Sequence, residues 1–180
     1  MSLAQRDSVY HIQCAANKTV GIPSGITLTG MVIISDCQVS VGSHVTMSDL
    51  VLASRAGGNP GGNGNGGNNN GNSGGGGPGV SNANINFSSG VNLGTADNCS
   101  PGGGVQIFSN ASVHFSSSML INGLQVVAAG DVDLGARDMG VNGINVQAGG
   151  NITLTSNNMF GLCSGGAPSL QTVAYYRLVR

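Results

Sequence analysis

Apolar and polar residues alternate along most of this chain, and the alternation is written in repeats. The clearest run is residues 104–154, where one short unit occurs three times: GVQIFSNASVHF (104–115), GLQVVAAGDVDL (123–134) and GINVQAGGNITL (143–154). The units begin at Gly104, Gly123 and Gly143, a nearly constant spacing. Each unit opens with Gly, alternates, breaks at small or turn residues, and alternates again. Alternation of this kind predicts a strand with one buried face. A strand–turn–strand unit that recurs about every 20 residues predicts a solenoid, in which no single repeat can bury its apolar face alone. Earlier copies stand at GMVIISDCQVSV (30–41) and DLVLASRAG (49–57), and the second half of the latter resumes at SNANINF (81–87). The expected fold is therefore all-β, a single-stranded parallel β-helix (a solenoid of about 19–20 residues per coil) with a long Gly/Asn-rich loop.

Parity assigns the side chains. Met31, Ile33, Val39, Val41, Leu50 and Leu52 should point inward, and so should Val126, Val132, Ile144, Val146, Ile152 and Leu154. On the first strand of each coil this leaves Val32, Ile34, Val51, Phe108 and Val127 facing away from the core. They form an apolar stripe that fades toward the later coils, where Gln125, Asn145 and Gln147 take the same places. A large apolar patch is rarely bare on a soluble monomer, so the stripe is a candidate interaction surface. It would be covered by a protein partner, by self-association, or by the chain's own tail or glycine-rich loop.

The second strand of each coil turns polar residues outward: Gln38/Ser40, Asn84/Asn86, Ser112/His114, Asp131/Asp133 and Asn151/Thr153. His114 and Asp133 should lie one coil apart, with Asp131 alongside and Arg137 and Asp138 at the next corner. Surface carboxylates in such grooves serve some β-helical lyases and glycosidases, but hydrolysis needs one carboxyl with a raised pKa. The His114–Asp131–Asp133 cluster reads instead as a hydrated face, with neither catalysis nor metal binding. Asn122 and Asn142 precede the repeat Gly at equivalent corners and should stack as a structural asparagine ladder. His11 and His44 lack companions and read as plain surface residues.

The chain reads as one domain. Residues 1–29 form an opening cap that fits the repeat poorly, 30–56 and 80–93 are early coils, and 104–154 are three regular coils. A segment of Gly, Asn, Pro and Ser alone, residues 57–79, interrupts the second coil. It has nothing apolar to bury and lacks the GxxxxGK[ST] pattern of a phosphate loop, so it reads as a surface insertion. Residues 94–103 form a second irregular loop. Residues 155–180 make a C-terminal loop and a capping tail, LQTVAYYRLVR (170–180), which closes the end of the helix or packs along its side.

Composition narrows the function classes. Charged residues are 7% and the formal net charge is −1, which provides no basic footprint for nucleic acid. No apolar run is long enough to span a membrane, so membrane attachment would require a segment not present here. The opening Met1-Ser2-Leu3 is compatible with an expression leader. Cys14, Cys37, Cys99 and Cys163 lack CxxC spacing, which argues against zinc and for disulfides in an oxidising, extracytoplasmic compartment. Cys37 sits at a repeat turn with Cys14 about one coil upstream, and stacked strands are roughly 4.8 Å apart. The expected pairs are Cys14–Cys37 and, by elimination, Cys99–Cys163; four buried free thiols are the alternative. No cofactor is expected.

A cysteine in an early strand, CQVSVGS (37–43), QAGGNITLTSNNMFGLC (147–163) and the terminal YYRLVR together resemble the extracytoplasmic part of TadG-like proteins of tight-adherence (Flp-type) pilus assembly. The resemblance implies a bacterial periplasmic or surface domain that assembles or anchors a pilus and has no catalysis. Family members carry an N-terminal membrane helix that this sequence lacks, and the Gly/Asn insertion is a second departure. The expected function is a structural or interaction domain. The alternatives are a surface for a repetitive ligand, glycan or ice, and a polysaccharide-acting enzyme. Ice binding would require regular outward Thr columns, and only Thr153 occupies such a site.

Overall fold

The computed structural model describes residues 7–14, 18–55, 83–95, 104–134, 140–154 and 159–161. Within them all regular structure is β, and every strand pairing is parallel. In chain order the strands are β1 (Ser8–Ile12), β2 (Thr19–Ile22), β3 (Thr27–Ser35), β4 (Gln38–Val41), β5 (Thr46–Ser54), β6 (Ala83–Phe87), β7 (Asn92–Leu93) and β8 (Val105–Ser109). There follow β9 (Ser112–Phe115), β10 (Leu120–Asn122), β11 (Leu124–Ala128), β12 (Val132–Leu134), β13 (Gly140–Asn142), β14 (Asn145–Ala148), β15 (Ile152–Leu154) and β16 (Met159–Gly161).

They form two sheets. The narrow sheet has the order β15-β12-β9-β6-β4-β2. The broad sheet runs β14-β11-β8-β5-β7-β10-β13-β16, with β1 and β3 stacked beyond β5. The register sets Val32 beside Val51, Ile107 beside Val126, and Val126 beside Val146. Strands thus pair with their sequence equivalents one repeat away, an arrangement compatible with a β-helix or similar solenoid.

The broad sheet turns a corner inside its longest strands. β3 and β5 pass through left-handed backbone at Gly30 (φ 65°) and Asp49 (φ 48°). Their first residues continue into β7, β10, β13 and β16, and their later residues stack with β1, β8, β11 and β14. At the same corner the later layers use Gly123 and Gly143 (φ 63° and 62°). Each layer therefore has a third arm besides the two strands expected from sequence. That arm buries Val45, Met47, Val91, Leu93, Met119 and Ile121.

Inward positions make continuous columns, because parallel in-register stacking sets like above like. Val39, Ile85, Val113 and Val132 form one column of the narrow sheet, and Val41, Phe87, Phe115 and Leu134 another. The Phe87 and Phe115 rings lie parallel with centroids 4.9 Å apart. Met31, Leu50, Val105 and Leu124, with Ile33, Leu52, Ile107 and Val126, supply the broad sheet's share. Buried hydroxyls at the next corner are satisfied: Ser35 Oγ and Ser54 Oγ both donate to the Cys37 carbonyl.

Three expectations need correction. Ile152 and Leu154 continue the columns of Val132 and Leu134, which are 0% and 1% exposed, yet they are 45% and 55% exposed themselves. No described strand lies beyond β15, so nothing described covers their outer side. Ile144 and Val146, in the same last layer, are only partly buried for the same reason. Finally, the segment read as an opening cap already belongs to the stack: Ser8–Ile12 pairs in register with Met31–Ser35, and Thr19–Ile22 with Gln38–Val41. The step along the chain from Ser8 to Met31 is longer than the step from Met31 to Leu50, and this irregularity hid the first layer from the repeat.

The register is the same on either side of residues 56–82. Ser54 still pairs with Ser109, and Val39 with Ile85. Residues 57–79, Cys99, Cys163, Arg137, Asp138 and the tail at 170–180 lie outside the described residues.

Candidate functional site: the outer face of the broad sheet

Two outward columns run along the broad sheet. One is Val9, Val32, Val51, Gln106, Gln125 and Asn145; the other is His11, Ile34, Ala53, Phe108, Val127 and Gln147. Val32, Ile34, Val51, Phe108 and Val127 fall in these columns in register, and each is partly buried by its neighbours. Val9, which the sequence reading did not include, extends the first column and is 69% exposed. Ala53, Phe108 and Val127 floor a shallow depression of ≈ 320 Å³ whose rim carries Arg55 and Asn110.

A polar cluster closes the corner beside this depression. Arg55 donates from Nε and Nη2 to Asp36 Oδ1 at 2.9 and 2.7 Å. His11 Nε2 lies 3.1 Å from Asp36 Oδ2 and 3.3 Å from Arg55 Nη2. One ring nitrogen cannot donate and accept at once, so the tautomer decides whether it serves the carboxylate or the guanidinium. The Arg55 hydrogen bonds, followed by the His11 bond, hold the Asp36 carboxyl below the usual carboxylate range. Asn110 Nδ2 donates to the Arg55 carbonyl and ties the cluster to the depression's rim. The reading of His11 as a residue without companions is therefore wrong. The stack brings together residues 11, 36 and 55, and the separation of His11 from Asp36 along the chain matches no regular repeat spacing.

Cys14 and Cys37 form a disulfide at the same corner, with Cα atoms 5.7 Å apart. Cys37 is buried, and its N–H donates to Ser35 Oγ.

On the narrow sheet, His114 Nδ1 stands 3.0 Å from Asp133 Oδ2, one layer away in register. Asp131 does something else. Its Oδ1 accepts the Asn151 N–H at 2.7 Å and its own N–H donates to Ser112 Oγ, so it stitches three layers at a turn. A Cβ on Gly150 would collide with that carboxylate, which accounts for glycine there. Ser112 is buried rather than outward.

Asn142 Nδ2 donates to Asn122 Oδ1 at 3.0 Å, and Asn122 is buried. At the equivalent strand ends of the first two layers Thr29 Oγ1 and Ser48 Oγ lie 3.0 Å apart, and Gly94 separates that pair from the asparagines. The left-handed backbone belongs to the glycines after the ladder, Gly123 and Gly143, and not to the asparagines. His44 (φ 57°) occupies a second left-handed corner together with Gly25, Gly90 and Ser118, and its ring abuts Gly90. Among the described residues no group of three or more His, Cys, Asp or Glu side chains is placed to hold a metal ion.

Fold and surface define a scaffold of stacked parallel strands with an apolar outer face bordered by a polar corner. Residues 1–164 match the model of a domain of unknown function (DUF7867), and the chain belongs to that family. No curated protein and no solved structure matches it.

Proposed function

We propose that the chain is a non-catalytic structural and interaction domain: a parallel β-helix whose outward apolar columns dock a protein partner. The observation that carries this reading is the in-register column Ile34, Ala53, Phe108 and Val127, with its depression lying beside the Arg55–Asp36–His11 corner. An apolar pocket with a polar rim suits an aromatic or aliphatic anchor side chain from a protein partner, ringed by polar contacts. The Cys14–Cys37 disulfide favours an extracytoplasmic setting, because such bonds persist in oxidising compartments. The resemblance to TadG-like proteins points to a partner in a bacterial surface or pilus-assembly apparatus; that step rests on the resemblance alone. Polar side chains on the narrow sheet are engaged in stitching layers, as at Asp131, which argues against a catalytic role for that face.

The test is site-specific photo-cross-linking in a bacterial envelope, with the cross-linker introduced at position 108 or at position 114. The reading expects a discrete protein adduct from 108 and none from 114. Adducts from 114 alone, or the same adducts from both positions, would overturn it.

A further inference from the structure

Lys18 and Arg55 are the lysine and arginine side chains among the described residues, and both stand at one corner of the stack. Arg55 follows β5 directly. Lys18 precedes β2, and its carbonyl accepts the Gln38 N–H at 3.0 Å, which sets it beside Cys37, the neighbour of Asp36. Two cations thus share the corner with the single Asp36 carboxylate, and a protonated His11 would add a third. The other described carboxylates lie elsewhere. Asp49 stands at the far end of the β5 segment that leads to Arg55, about 20 Å away at roughly 3.3 Å per residue. That is more than twice the screening length of about 8 Å at physiological salt. Asp7 precedes β1 at the same distant corner, bound to the Gly30 carbonyl. Asp131 and Asp133 belong to the turn and strand of the narrow sheet, engaged with Asn151 and His114. The corner is therefore a local positive patch on a chain whose formal net charge is −1.

The Arg55 bonds show which side of the guanidinium remains for a ligand. Nε and Nη2 both donate to Asp36 Oδ1, and Asp36 Oδ2 lies against His11. None of the described bonds uses Nη1, and the side chain is 59% exposed. A guanidinium edge of this kind matches the geometry of a carboxylate. Arg55 is also the one charged residue lining the depression floored by Ala53, Phe108 and Val127. An apolar floor and a cationic rim thus adjoin, with no described carboxylate on the rim other than the one behind Arg55.

We propose that the protein partner of this face is acidic where it meets the corner: an apolar anchor side chain enters the Phe108 depression, and an Asp or Glu beside the anchor reaches Arg55. The inference rests on the docking reading above and supplies the chemistry of the partner. Lys18 adds to the attraction through its field. A rim charge of this kind steers encounter and selects among partners more than it adds affinity. Asp36 acts in two senses here. It orients the guanidinium, and its own charge weakens the pull on an incoming carboxylate.

That opposition provides the test. The full chain carries the photo-cross-linker at position 108, and adduct yield is measured in bacterial envelope fractions at low and high salt. Arg55→Gln should lower the yield about two- to fivefold and Asp36→Asn should raise it by a similar factor, the range of an exposed ion pair. Added salt should lower the wild-type yield, and Arg55→Gln should weaken that dependence. Both substitutions break the same ion pair, so a merely structural role for the pair would move the yield in one direction with either. Lys18→Gln breaks no described side-chain bond and should also lower the yield, which keeps the test open should Arg55→Gln impair folding. The partner peptide joined at position 108 should carry Asp or Glu beside the linked residue. Absence of any wild-type adduct from position 108 would overturn the docking reading itself. Adducts that form but are indifferent to these charges, that fall with both Arg55→Gln and Asp36→Asn, or that map to a basic segment would overturn this inference alone.

Discussion

Phe115→Ala tests the stacked core most sharply. The ring is fully buried and lies parallel to Phe87 with a centroid separation of 4.9 Å, in the column that also holds Val41 and Leu134. Removing a buried phenylalanine side chain costs about 3–5 kcal/mol from lost transfer and residual cavity. The flanking layers are hydrogen-bonded along their length and cannot collapse into the gap, which favours the upper part of that range. For a chain of this size 1 kcal/mol moves the melting temperature by about 2–4 °C, so a fall of roughly 8–16 °C is expected from about 4 kcal/mol. Phe87→Ala should act similarly, and the pair in a double-mutant cycle should show a coupling of about 0.5–1.5 kcal/mol from the ring–ring contact. Phe108→Ala is the control: the same residue type, partly buried, on the outward column. Calorimetric melts of the four variants and the wild type decide the matter. A Phe115→Ala shift no larger than that of Phe108→Ala would refute the inward and outward assignment of the strands.

Three further outcomes follow from named contacts. Cys14→Ser should lower stability by about 2–4 kcal/mol, because the bridge closes a loop in the unfolded chain, and a reductant should lower the wild-type melting temperature by more than the variant's. Asp36 is held below its usual range by Arg55 and His11, so its ion pairing stabilises the fold above the ordinary carboxylate range and is lost as pH falls through its depressed value. Melting curves of wild type and Asp36→Asn should therefore differ at neutral pH and converge in acid; a gap that widens on acidification would reverse the sign of the argument. Asn142→Ala leaves the buried Asn122 amide without its ladder partner and should cost about 1–3 kcal/mol, read by chemical denaturation.

The sequence made the stack legible wherever strands were long and evenly spaced. Val39, Val41, Leu50, Leu52, Val126 and Val132 are buried as alternation requires, and the stripe residues share outward columns because parity admits no other placement. The third arm escaped notice because its strands are as short as Asn92–Leu93, too short for alternation to register. Met47, Ile121 and their neighbours accordingly went unassigned. The burial of Ile152 and Leu154 was overstated for a different reason: periodicity describes a residue's direction and says nothing about whether another layer lies beyond it. The His11–Asp36–Arg55 corner was hidden by irregular spacing, since only the register of β1 on β3 and β3 on β5 brings the three together. Cys14–Cys37 was readable because one cysteine marked a repeat turn and the other lay about one layer upstream.

The most direct test of a scaffold that folds by its inward columns and binds by its outward ones compares two pairs of substitutions displaced by a single residue. Ile34→Ser with Phe108→Ser changes the outward column; Ile33→Ser with Ile107→Ser changes the inward one. Each variant's melting temperature is measured alongside its capture of envelope proteins after cross-linking. The outward pair should melt close to wild type and lose the captured partner, while the inward pair should fail to fold or melt far lower. An outward pair that captures the same partner as wild type, or that is as destabilised as the inward pair, would contradict this division between the columns.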